Sequence, residues 1–164
     1  EGLEPRHLAF HPKLPIVYCD DEKGDSVTAY RFNKTTGQLK AFHTLSTLPA
    51  DFDGDKNSCA DIEITRDGKF IYASNRGHNS IAGFAVDAKT GKLESIGQFA
   101  TGEVPRSFNL GPNNKWLIAA GQRSHDLHIY ERNPKTGKLT KVRQQSTGKG
   151  PGWVQFIPIR VVKK

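Results

Sequence analysis

Apolar and polar residues alternate along most of the chain, in short runs closed by turns rich in glycine, proline, asparagine and aspartate. Residues 7–10, 16–19, 26–32 and 39–45 make one set of four such runs. Residues 61–64, 70–74, 81–86 and 94–100 make a second, and 107–110, 116–120, 127–130 and 140–145 a third. Alternation with β-branched and aromatic residues is the signature of half-buried strands, and no segment carries the 3.6-residue apolar period of a helix. Twelve short strands and no helix are therefore expected.

The sets repeat one another. Thr36-Gly37-Gln38-Leu39, Thr90-Gly91-Lys92-Leu93 and Thr136-Gly137-Lys138-Leu139 fall at the same turn, at spacings of 54 and 46 residues. The connection over residues 48–57 accounts for the extra eight. A period in the mid-forties is the length of one four-stranded blade of a β-propeller. A fourth start, Pro151-Gly152-Trp153-Val154-Gln155-Phe156, matches the first strand of a blade. The expected fold is all-β, a propeller fragment of about three four-stranded blades (residues 5–47, 58–102 and 104–148) with an insertion loop at 48–57 and a closing strand at 151–158. Propellers need about four to eight blades. A partner is thus expected, either a missing N-terminal half or a second copy of the chain. The chain starts Glu1-Gly2 and contains no Met, which fits a processed chain or a piece of a longer one.

Repeats allow equivalent residues to be compared. Leu8, Ile62, Phe108 and Val154 share one position, and Phe10, Ile64, Leu110 and Phe156 another; these are expected in the core. Just before them stand Arg6, Ala60, Arg106 and Gly152, then His7, Asp61, Ser107 and Trp153, while Glu22, Arg76 and Gln122 end the second strands. The first two strands of a blade form an antiparallel hairpin, so the start of one and the end of the other lie together. Arg6, His7, Glu22 and Arg76 should collect on one face near the axis. A carboxylate, an imidazole and guanidiniums converging there suit anion binding with acid/base chemistry. Arg106, His78 and Gln122 are candidates for holding substrate. Gly77 beside Arg76 suggests a special backbone that aims that side chain. His11 and His128 are expected to be structural.

The net charge of +7 and the isoelectric point near 9.5 come from lysines spread over turns such as Lys34, Lys89 and Lys135. No basic run or nucleic-acid motif accompanies them, so no nucleic-acid partner is expected. The mean hydropathy of −0.59 describes a soluble, somewhat polar protein. No stretch approaches the roughly 18–20 apolar residues of a membrane helix, so no membrane partner is expected. Asp51, Asp53 and Asp55 lack the later glutamate of a calcium-binding loop, and neither metal nor cofactor is expected. Cys19 and Cys59 have no metal-site spacing and read as buried free thiols. They leave the compartment open, the balance tipping to the cytoplasm.

Three strings carry a family likeness. Pro5-Arg6-His7-Leu8-Ala9-Phe10-His11-Pro12, Ala60-Asp61-Ile62-Glu63-Ile64 with Asp67-Gly68-Lys69-Phe70-Ile71-Tyr72, and Ser74-Asn75-Arg76-Gly77-His78-Asn79-Ser80-Ile81 resemble the seven-bladed propeller lactonases. That family holds propeller-type 6-phosphogluconolactonases and fungal carboxy-cis,cis-muconate cyclases. The resemblance covers nearly the whole chain and implies its C-terminal half. It implies that Arg6, Glu22 and Arg76 belong to the site, with a further family histidine on an earlier blade. Where the family usually reads Asn-Glu-Leu, this chain reads Asp21-Glu22-Lys23.

The leading expectation is hydrolysis of a sugar lactone by the parent protein. In it Arg6 and Arg76 grip the anion and Glu22 acts as general base, with His7 nearby. The alternatives are a muconate-type cycloisomerase acting on a diacid and a non-catalytic binding platform, because a fold alone does not give function.

Overall fold

A computed structural model describes residues 2–157. It contains twelve strands and, among the described residues, no helix. The first sheet holds β1 (Pro5–Phe10), β2 (Ile16–Asp21), β3 (Ser26–Phe32) and β4 (Leu39–Ser46). The second holds β5 (Cys59–Ile64), β6 (Phe70–Asn75), β7 (Ser80–Val86) and β8 (Leu93–Ala100). The third holds β9 (Pro105–Leu110), β10 (Trp116–Gly121), β11 (Asp126–Arg132) and β12 (Leu139–Ser146). Each is an antiparallel meander in chain order. These are three propeller blades, and each of the twelve predicted blade strands is present.

Local chemistry sets the turns. Gly37, Gly91 and Gly137 have φ of 74°, 71° and 72°, a region costly for a residue with a Cβ. Asn33, Asp87 and Asn133 each accept two backbone N–H bonds across the same turn through Oδ1. Gly91 and Gly137 also meet the neighbouring blade. Tyr18 Oη donates to the Gly91 carbonyl at 2.9 Å and Tyr72 Oη to the Gly137 carbonyl at 2.6 Å.

The core lies between blades. Ala9, Tyr18 and Ala29 of the first sheet meet Ile62, Ile71, Ala73 and Phe84 of the second. Phe70, Tyr72 and Ile81, on the other face of the second sheet, meet Phe108, Leu117, Ala119 and Tyr130 of the third. Along the innermost strands, even-numbered side chains therefore pack against the preceding blade. This corrects the expectation for Leu8 and Phe10. They are 52% and 56% exposed, because among the described residues no sheet precedes the first blade to cover them. Phe10 packs instead edge-on against Phe32 of its own sheet.

Residues 151–157 run beside β9, with Val154 N donating to Ser107 Oγ at 3.1 Å and Phe156 N to Asn109 Oδ1 at 3.4 Å. They form no ladder among the described residues, and Pro158, the last residue of the expected closing strand, lies outside those residues. Cys19 and Cys59 are buried free thiols, and burial pushes them up to about 11 and about 12.

Candidate active site

Pro5 pairs with Asp21, Cys59 with Asn75 and Pro105 with Gly121, so each inner strand begins beside the end of its neighbour. The next residue of each second strand is held the same way. Glu22 N donates to the Glu4 carbonyl, Arg76 N to the Ser58 carbonyl and Gln122 N to the Val104 carbonyl. The β-hairpins thus bring Glu22 and Arg76 to the same end of adjacent blades.

There they meet Arg6. Arg6 Nε lies 3.2 Å from Glu22 Oε2, and Arg76 Nη2 pairs with Glu22 Oε1. Each guanidinium also holds backbone, Arg6 Nη1 through the Ala60 carbonyl and Arg76 Nη2 through the Cys59 carbonyl at 3.1 Å. Glu22 is a carboxylate gripped by two arginines from two blades. Its hydrogen bond from Arg76 leads the causes that hold it below the usual carboxylate range, and the charges of Arg76, Arg6 and Arg106 add to it. It is therefore ionised at neutral pH, and its basicity is suppressed while both arginines face it.

His7 lies against this cluster. Its Nε2 is 3.2 Å from Arg6 Nη1, its Nδ1 is 3.1 Å from Asp61 Oδ1, and its backbone N donates to Asp20 Oδ1 at 2.6 Å. Asp20 is fully buried, its Oδ2 has no partner among the described residues, and burial raises its carboxyl. Asp61 also accepts from Ile62 N and Phe108 N, each at 3.1 Å.

The remaining candidates stand further out. Arg106 is exposed on the third blade, close enough for its charge to act on Glu22. His78 is turned aside: its Nδ1 meets Ser80 Oγ at 2.7 Å and its ring packs edge-on to Phe52 at 5.2 Å. Gln122 occupies the position equivalent to Glu22 and Arg76 on the third blade, next to Gly152. Gly77 has no positive φ. Its lack of a side chain serves a close approach, because a Cβ there would stand 1.9 Å from the Lys56 carbonyl oxygen.

Asp61, Asp20 and Glu63 were not among the residues singled out by the repeats. Asp61 occupies the same non-recurring position as His7, and that was the available signal. Glu63 accepts from Asn109 Nδ2 at 2.6 Å and is pushed up to about 7, mainly by burial and then by the charge of Asp61. It borders a cavity of about 240 Å³ with Arg66, Asn109 and Phe156, at the opposite end of the inner strands from Glu22. Among the described residues, no three potential ligands converge to hold a metal ion.

Residues 1–156 match the family model for the lactonase, 7-bladed beta-propeller. The chain belongs to the seven-bladed β-propeller lactonase family. A Lactococcus lactis subsp. cremoris protein of uncharacterised function is 41% identical over 134 residues, which are 81% of this chain and 39% of that protein. The solved structure of a Lactobacillus plantarum protein superposes with a TM-score of 0.91 at 32% identity, over 96% of this chain and 46% of that one. A provisional 6-phosphogluconolactonase of Bacteroides uniformis superposes with a TM-score of 0.85 at 35% identity, over 95% and 44%. The periplasmic gluconolactonase of Pseudomonas aeruginosa does so with a TM-score of 0.84 at 28% identity, over 91% and 41%. The chain spans less than half the length of each of these relatives.

Proposed function

We propose that the Arg6–Glu22–Arg76 cluster is the reacting centre of a lactone hydrolase. The ring around it would be completed by further blades or a second copy of the chain. The observation that carries this reading is one carboxylate held between two arginines at the axial end of adjacent blades. Relatives named gluconolactonase and 6-phosphogluconolactonase support it.

In the proposed reaction an anionic or strongly polar lactone engages Arg6 and Arg76. Each guanidinium it draws away from Glu22 restores basicity to that carboxylate. Glu22 then takes a proton from water as the water oxygen attacks the lactone carbonyl. The arginines stabilise the negative charge that develops on the carbonyl oxygen. The ring C–O bond breaks, and the departing alkoxide recovers the proton from Glu22, giving the hydroxy acid. Arg106 and Gln122 would meet the distal part of the substrate, where Arg106 would favour a phosphate or carboxylate.

The test is product analysis on the protein in its native assembly, whose mass is first measured by light scattering. Aldonolactones with and without a phosphate group, and a muconate-type diacid, are supplied separately. Hydroxy-acid formation from the lactones is the expected result. A lactone formed from the diacid would assign cycloisomerisation instead, and inertness toward every substrate would favour a binding platform.

A further inference from the structure

Arginine has hydrogen-bond donors and no acceptor. The 3.2 Å contact between Arg6 Nη1 and His7 Nε2 therefore requires Nε2 to be the unprotonated nitrogen. The ring proton then sits on Nδ1 and is donated to Asp61 Oδ1 at 3.1 Å. Asp61 has little freedom to do anything else. Its side chain is 10% exposed, and the backbone N–H groups of Ile62 and Phe108 hold its two oxygens. The chain of bonds runs from the third blade through Asp61 on the second to His7 and Arg6 on the first, and on to Glu22.

We infer that Asp61 and His7 are positioning residues for Arg6: Asp61 fixes the Nδ1–H tautomer of His7, and the bare Nε2 holds one face of the guanidinium. This extends the reading of the cluster as a lactone-hydrolysing centre and rests on it for its catalytic consequence alone. His7 then acts through Arg6 rather than on the substrate. Arg6 needs such a holder because, among the described residues, its Nη1 would otherwise be fixed only by the Ala60 carbonyl. The charged groups facing His7 are Arg6 on its own strand, Asp20 on β2, and Asp61 and Glu63 on β5.

The test has a reading that does not depend on activity. In ¹⁵N NMR of the native protein, His7 is expected as the Nδ1–H tautomer. Asp61→Asn is expected to mix in the Nε2–H form and to broaden the Arg6 side-chain signals. A wild-type Nε2–H tautomer, or a tautomer unchanged in Asp61→Asn, overturns the relay whether or not a lactone is turned over. Should Asp61→Asn fail to fold, two variants of His7 replace it. His7→Gln supplies an acceptor for Arg6, and His7→Phe supplies none. With a hydrolysed lactone, KM is expected to rise in the order wild type, His7→Gln, His7→Phe, by about tenfold overall, with kcat less affected. Equal KM values for the two variants contradict the relay and leave the hydrolase reading standing.

Discussion

Replacing Gly77 by alanine tests how the 48–57 connection aims Arg76. The new Cβ would stand 1.9 Å from the Lys56 carbonyl oxygen and 2.7 Å from Asn57 Cα, both of them backbone atoms. Ordinary contact begins at 3.4 Å, so the two loops must part by about 1.5 Å. The parting strains Asn57, whose Oδ1 accepts from Gly77 N at 2.9 Å and His78 N at 3.0 Å. Its Nδ2 donates to Asp25 Oδ1 at 2.7 Å and Asn75 Oδ1 at 3.0 Å. At about 1 kcal/mol per bond, loss of two or three costs about 2–3 kcal/mol. The stiffer unfolded chain returns about 0.4–1 kcal/mol, since the φ of Gly77 is not positive. A net destabilisation of about 1–3 kcal/mol is expected from urea unfolding, with the slope unchanged. Arg76 immediately precedes Gly77 and moves with it, and a shift of about 1 Å in a substrate-holding group can cost about 10²-fold in kcat/KM. An unfolding free energy within about 0.5 kcal/mol of wild type would refute the close-approach argument.

Two further perturbations address the blade interfaces and the inner strands. Tyr72→Phe leaves the buried Gly137 carbonyl without its 2.6 Å donor and should cost about 1–3 kcal/mol in urea unfolding, while the same change at exposed sites costs little. Glu63 has a folded pKa raised from 4.5 to about 7, so the folded state binds its proton more tightly than the unfolded chain. Its favourable contribution is full below about pH 4.5, declines as pH rises and is gone above about pH 7. Glu63→Gln keeps an acceptor for Asn109 and should therefore be more stable than wild type at pH 8, by about 1–2 kcal/mol after discounting for solvent screening, with the advantage vanishing near pH 4. Chemical denaturation at the two pH values reads the difference.

Most of the architecture was legible because its causes are local. The Thr-Gly-Xaa-Leu turns demand a positive φ at glycine and an Asx cap three or four residues earlier, and both recur at the blade spacing. The Arg6–Glu22–Arg76 gathering followed from hairpin geometry plus repeat alignment, which needs no knowledge of rotamers. Three features were out of reach for physical reasons. The exposure of Leu8 and Phe10 depends on which neighbour covers a sheet face, and an apolar strand position says nothing of that. The role of Asp61 depends on a side-chain rotamer meeting another blade. Gly77 looked like a conformational glycine, yet its requirement comes from the backbone of residues 56 and 57, which lie twenty residues away in sequence.

The central claim is that Glu22, released by its arginines, activates water on a lactone. The most direct test is the hydrolysis rate of the best lactone by Glu22→Gln, measured in a pH-stat at equal folded fraction and saturating substrate. Glutamine keeps the shape between Arg6 and Arg76 but cannot accept the proton, so kcat is expected to fall by about 10²-fold or more. A kcat within about threefold of wild type, with the variant folded to the same extent, would contradict the account by removing Glu22 from the chemistry.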